Sequence, residues 1–167
     1  DTYAHRLADM VQLWRKEWGL GELPFYFVEI APYAYGGEQE GGAAYLREAQ
    51  FRAQSLIPNS AMVSTNDLVE PYERYNIHPR NKAEVGHRLS YLALNLTYGL
   101  KQFVCFGPQY KSWTAKGNEA WVSFDNLQMG ICRNYDLRGF EVAGEDRIFH
   151  PADKVWLHWQ TNEMVVS

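Results

Sequence analysis

The sequence NDLVEPYERYNIHPRNKAEVGHRLSYLALNLTYG, residues 66–99, decides the fold of this chain. A short apolar run at 61–63 leads into it, and its first half is a polar loop that contains one histidine, His78. Pro79 suits the first turn of a helix, because the N–H that proline lacks would have no partner there. Apolar residues then recur at helical spacing until Gly99, a suitable helix end. The stretch predicts a strand–loop–helix unit with His78 at the edge where open α/β sheets usually carry their sites.

The residues before this stretch alternate between helix and strand patterns. We predict a helix over 3–18 with Trp14 and Trp18 on one apolar face, a strand over 25–30, a helix over 44–55 and a strand over 61–65. This alternation favours an α/β fold in which helices cover a parallel sheet.

The pattern changes near residues 100–103. Short apolar runs follow, separated by turn signals at 116–118, 125–126, 144–147 and 161–163, and the run at 119–124 alternates between two faces. This is typical of antiparallel β-structure and predicts a sandwich-like module. We therefore expect two domains, 1–102 and 103–167.

Composition excludes some classes of function. The 167 residues carry a net charge of −4 and contain no basic run, which argues against a nucleic-acid surface. No apolar stretch is long enough to span a bilayer. The chain starts at Asp1 rather than Met, which suggests a processed or truncated start. Cys105 and Cys132 could form a disulfide bridge or stay as two thiols.

His78 is the leading candidate for chemistry, since histidine is the side chain most often used as a general base. Such a base needs an acceptor on its second ring nitrogen, and Asn76 and Asp67 are the nearby candidates. Only Asp67 would bring a negative charge to stabilise an imidazolium. The alternative is that His78 packs or caps the loop without a chemical role.

A second polar cluster lies on the predicted helix at 44–55. Arg47 and Gln50 are three residues apart and share a helical face, so both could point toward the loop and bind substrate, although a solvated helix face explains them as well. The histidines have no spacing typical of a metal site. No Gly-x-Ser-x-Gly nucleophile motif is present either.

Several motifs together resemble the sialate O-acetylesterase family, which are SGNH-type serine hydrolases that remove acetyl groups from sialic acids and related sugars. The motifs are WRKEWG at 14–19, PFYFV at 24–28, LREAQ at 46–50, IHPRNK at 77–82 followed by Val85 and Gly86, and FEVAGED at 140–146. The resemblance covers essentially the whole chain.

The resemblance implies that residues 1–102 form the C-terminal half of a flavodoxin-like SGNH domain and that 103–167 form an incomplete β-sandwich module. It implies that His78 is the general base for a serine nucleophile. Many members carry Asp two positions before this histidine, where this chain has Asn76, so Asp67 is the second choice for the orienting residue.

The family's serine and oxyanion-hole residues lie in a segment that precedes the part matched here. We therefore expect a fragment whose partner is that N-terminal segment, in the same protein or in a separate chain, with an O-acetylated sugar as substrate. The resemblance implies no cofactor and a periplasmic or secreted location. The alternative is a non-catalytic carbohydrate-binding or structural fragment. In a carbohydrate-binding fragment, tryptophans would stack on sugars, although such residues more often pack in a core. The candidates are Trp113, Trp121, Trp156 and Trp159.

Overall fold

The computed structural model describes residues 2–33, 42–73, 75–127, 130–131 and 137–167. It divides the chain into two compact units, Asp1–Cys105 (unit 1) and Phe106–Ser167 (unit 2). The described elements are α1 Thr2–Trp18, β1 Phe25–Val28, α2 Gly42–Leu56, β2 Ser60–Val63, a 3₁₀ turn Pro71–Glu73, α3 Lys82–Leu92, a π-helical turn Ala93–Thr97, β3 Gln109–Lys116, β4 Glu119–Asp125, β5 Glu141–Val142, β6 His150–Pro151, β7 Val155–His158 and β8 Glu163–Val166.

Unit 1 has the predicted order of elements, and its two strands are parallel. Phe25 of β1 pairs with Ser60 of β2, and the register runs on to the pair Val28 and Val63. Helices α1 and α2 pack on each other, and α3 packs against both strands. A hydroxyl–hydroxyl hydrogen bond of 2.7 Å between Tyr26 and Thr97 further links β1 to the end of α3. The mixed α/β prediction is therefore confirmed for this unit.

The core between α1 and α2 is built mainly from small and branched side chains. Its buried members are Ala4, Val11, Ala53 and Ile57. The two alanines allow the helices to approach closely, and Ala53 is fully buried.

The large aromatics of α1, Trp14 and Trp18, lie outside this core. Their exposed fractions are 41% and 60%. The two rings stack on each other at 6.1 Å, and Trp14 meets the edge of Phe25 at 6.3 Å. Helical spacing places them on a shared apolar face, but how deeply each is buried depends on how the neighbouring elements pack on α1.

Helix α3 begins at Lys82, three residues later than a helix opened by Pro79. Asn81 is the N-cap, and its side-chain oxygen accepts a 3.2 Å hydrogen bond from the Glu84 N–H. Pro79 is buried in the preceding loop instead. The predicted end is confirmed, because Gly99 follows the π-helical turn with a φ of +72°, which glycine adopts without strain.

Unit 2 is antiparallel, as the sequence predicts. A four-stranded sheet has the order β3-β4-β8-β7, and β5 pairs with β6 in a separate two-stranded sheet. The predicted turns contain residues with positive φ: Gly117, Asn126, Arg147 and Asn162. The central strand β8 supplies the buried residues of the unit, Met164, Val165 and Val166.

The tryptophans of unit 2 do not all pack in a core. Trp113 and Trp159 are 58% and 67% exposed, so core packing is wrong for these two. Trp121 is half-buried: the Lys116 ammonium lies 3.5 Å from its ring centre and the His158 ring 4.9 Å away.

Cys105 is a free thiol whose pKa is raised by burial, whereas Cys132, its possible disulfide partner, lies outside the described residues.

Within the described ranges, no helix is both long and apolar enough to cross a membrane.

Ile57→Ala is expected to destabilise unit 1 by about 2–5 kcal/mol, since it leaves a cavity between α1 and α2. Urea unfolding followed by circular dichroism at the helical minimum measures this, because the described α-helices all lie in unit 1. Leu56→Ala is the matched control, because Leu56 is 41% exposed, and it should lower the free energy of unfolding by about 0.5 kcal/mol or less. Equal losses in the two variants would contradict the described core.

Candidate functional site

The carboxyl ends of β1 and β2 are joined by a buried carboxylate, Glu29. It is 8% exposed, and one of its oxygens accepts hydrogen bonds from the Ser64 hydroxyl at 2.7 Å and from the Thr65 N–H at 3.2 Å. The backbone of Glu29 makes two further bonds: its N–H donates to the Val63 carbonyl, and its carbonyl accepts from the Thr65 hydroxyl. These donors compensate the cost of burying the carboxylate, and they hold the two strand ends side by side.

Gln50 also contacts this edge. Its side chain is buried, and its oxygen accepts a 2.8 Å hydrogen bond from the Ile30 N–H, just beyond β1. Arg47 lies on the same helix and is half-buried. The Gln50 contact joins α2 to the end of β1, while a role for Arg47 and Gln50 in substrate binding stays a prediction.

Asp67, one candidate partner for His78, is bound to an arginine of α3. Both of its carboxylate oxygens accept hydrogen bonds from Arg88, at 2.8 and 2.6 Å, and the Arg88 guanidinium also donates to the Ser64 carbonyl at 2.9 Å. The hydrogen bond from Arg88 lowers the pKa of Asp67, and the same contact raises the pKa of Arg88. Arg88 therefore fastens the start of the loop to α3.

Asn76, the other candidate partner, binds the backbone of the histidine. Its side-chain oxygen accepts a 3.0 Å hydrogen bond from the His78 N–H, which is a local turn contact of the kind asparagine commonly makes. His78 itself is exposed. Asn76 and His78 are thus brought together, but through the main chain and not through the imidazole.

A residue that sequence reasoning did not select, Glu73, organises the middle of the loop. It is 3% exposed. One carboxylate oxygen accepts from the Arg80 N–H at 3.0 Å and the other from the Glu70 N–H at 3.3 Å. The loop that carries His78 is therefore closed by a buried carboxylate.

His78 thus presents an exposed imidazole on a loop whose start is bound to α3 by Arg88 and whose middle is held by the hydrogen bonds of Glu73. An imidazole in this position can accept a proton from a group brought to it and return the proton later. Among the described residues, no group of histidine, cysteine, aspartate or glutamate side chains could hold a metal ion.

Comparison with known proteins gives a consistent result. The sialate O-acetylesterase of Mus musculus is 27% identical over 156 residues, and that of Rattus norvegicus is 25% identical over the same length. A crystal structure of a carbohydrate acetylesterase from Xanthomonas citri superposes with a TM-score of 0.79 at 31% identity, over 99% of this chain. This chain is homologous to the sialate O-acetylesterases.

The matched region is a limited part of each relative. The match to the curated relatives covers 86% of this chain but only 29% of each relative, and the match to the Xanthomonas citri structure covers 37% of the solved chain. No family model matches the sequence. The relatives are named as esterases, so this chain shares ancestry with part of a hydrolase.

Asp67→Asn should lower the free energy of unfolding by less than about 1 kcal/mol at neutral pH, because the Asp67 side chain of the Arg88 pair is 65% exposed. Arg88 lowers the pKa of Asp67 in the folded state. The stabilisation by the ion pair is therefore present above the unfolded-state pKa of Asp67, about 3.9, and is lost as pH falls through its folded-state pKa.

The measurement is urea unfolding of parent and variant at a series of pH values. The difference between the two should disappear in acid, and Asp9→Asn, at an exposed position on α1, should show no comparable pH-dependent difference. A difference that grew toward low pH would contradict the ion pair.

Proposed function

We propose that this chain is the base-bearing part of a carbohydrate acetylesterase, with His78 as general base and the serine nucleophile outside the chain. The observation that supports it most is the 31% identical structural likeness to a carbohydrate acetylesterase over 99% of the chain. An exposed histidine on the loop that follows the second of two parallel strands is consistent with this role.

The proposal carries a specific architecture. Unit 1 would be the C-terminal half of a flavodoxin-like SGNH domain, and unit 2 a partial β-sandwich, with a division near residues 102–105. The substrate would be an O-acetylated sialic acid or related sugar, in a periplasmic or secreted protein. The nucleophile segment would come from the same protein or from another chain, and no cofactor takes part in the reaction.

In the proposed reaction, His78 removes the proton from the serine hydroxyl as the oxygen attacks the acetyl carbonyl. The histidine then gives this proton to the departing sugar oxygen, which leaves as a hydroxyl while the serine stays acetylated. In the second half, His78 accepts a proton from the water that attacks the acetyl carbonyl, and it returns that proton to the serine oxygen as acetate leaves.

The partner that orients the imidazole is proposed to be Asn76 or Asp67. The Asp67 oxygens already accept from Arg88, so Asp67 would act through a remaining acceptor position or after the Arg88 contact rearranges. Arg47 and Gln50 are proposed to line the substrate side of the site.

The His78 assignment is tested in the full-length protein with an aryl acetate as substrate. His78→Ala should lower kcat by at least about 10²-fold, since general acid–base catalysis contributes about that much or more. His87→Ala is the matched control, because His87 is an exposed histidine on α3, and it should keep the parental rate. Equal rates for His78→Ala and the parent would overturn the assignment.

The 167-residue chain alone should show no turnover of the same ester, because removing the nucleophile of a serine hydrolase costs about 10⁶-fold in rate. Turnover by the chain alone would contradict the external nucleophile.

A second candidate function, sugar binding without catalysis, is favoured by the exposure of Trp113 and Trp159 on unit 2. An exposed indole can stack on the apolar face of a sugar ring. If this function is right, Trp113→Ala and Trp159→Ala will each abolish binding on a glycan array while the circular dichroism spectrum is unchanged. Trp18→Ala is the control, because Trp18 is as exposed but lies on α1 of unit 1. Parental array binding by both unit 2 variants would exclude this function.

A further inference from the structure

The loop of residues 70–80 is held by Glu73 on both sides of His78. On one side, the carboxylate of Glu73 accepts from the Arg80 N–H at 3.0 Å. On the other, the Glu73 carbonyl accepts from the Asn76 N–H at 2.6 Å. His78 therefore lies two residues from each of two backbone positions that hydrogen-bond to Glu73.

Two further hydrogen bonds restrict the backbone of this loop. The Asn76 side chain accepts from the His78 N–H at 3.0 Å, and the second Glu73 oxygen accepts from the Glu70 N–H at 3.3 Å, which closes the turn where the loop begins. Glu73 is 3% exposed, so the bonds that its carboxylate accepts are partly shielded from competing water. Hydrogen bonds to an ionised acceptor are roughly twice as strong as those between neutral groups.

We infer that Glu73 is a positioning residue for His78: its buried carboxylate fixes the backbone that presents the imidazole to the reacting groups. This inference rests on the proposed function, in which His78 is the base. Glu73 does not touch the reacting atoms in this account. Its effect is geometric, and a displacement of about 1 Å in a catalytic group can cost about 10²-fold in rate.

Glu73→Gln tests this inference with little change in volume. The amide keeps one acceptor oxygen but directs an NH₂ group at a backbone N–H, so one of the two bonds from Glu70 and Arg80 is lost. In the full-length protein, kcat for an aryl acetate should fall about tenfold or more while KM changes by about twofold or less, because the base is misplaced and the binding surface is kept. Glu70→Gln is the matched control, since the Glu70 side chain is exposed and only its backbone N–H and carbonyl bond to Glu73; it should keep the parental kcat.

A second measurement is amide hydrogen exchange in the 167-residue parent chain, which is then repeated in Glu73→Gln. Amide hydrogen exchange should be slower at Arg80 and Glu70 than at Ile77, which is 47% exposed in the same loop. In Glu73→Gln, the Arg80 or Glu70 amide should exchange faster, while amides of β1 and β2 are unchanged. That local signature separates a loosened loop from a destabilised domain.

The inference is overturned if Arg80 and Glu70 exchange as fast as Ile77 in the parent, or if Glu73→Gln keeps the parental kcat. The two proposals fail separately. A parental rate in His78→Ala removes the proposed function whatever the exchange data give. Loss of activity in His78→Ala together with a parental rate in Glu73→Gln removes only the role of Glu73.

Discussion

Two buried carboxylates set the geometry of the candidate site, because a carboxylate removed from water must be satisfied by hydrogen-bond donors. Glu29 takes its donors from the chain just after β2, and Glu73 takes its donors from both ends of its own loop. Satisfying the first fixes the two strand ends relative to each other, and satisfying the second fixes the path of the loop between β2 and α3. The position of the His78 backbone follows from these two requirements together with the Arg88 contact to Asp67.

The order of elements in unit 1 could be predicted because it depends on periodicity and on glycine and proline positions, which are local properties. The ends at Gly19 and Gly99 have positive φ, as expected for helix termini. The start of α3 could not be read from Pro79, because a second start signal, Asn81, lies two residues later and its cap prevails. The depth of Trp14 and Trp18 depends on how closely α2 approaches, which is a tertiary property that spacing does not contain.

The candidate site was only partly accessible to sequence reasoning. His78 and Asn76 were selected because their residue types and proximity are visible in the sequence. Glu29, Glu73 and Arg88 were missed, since a glutamate or arginine in a polar stretch is far more often a solvated surface residue than a buried acceptor or anchor. A weak signal existed for Glu29, an acidic residue in the first position after a strongly apolar strand. Nothing comparable marked Glu73, because its donors are backbone amides, which every loop possesses.

The contacts described for the His78 loop lie within this chain, which bears on the proposed division of the site between segments. In the proposed reaction, pre-organisation of His78 requires that its backbone be fixed before the nucleophile arrives, because ordering a loop at the moment of association would subtract conformational entropy from binding or catalysis. Here one ion pair and a set of hydrogen bonds to the backbone, all within residues 64–88, order the His78 loop. Among the described residues, local bonding holds the His78 backbone but does not orient its imidazole. The interactions that hold the loop are therefore different from those that would orient the imidazole of the proposed base, so that changes in the orienting residue can leave the loop intact.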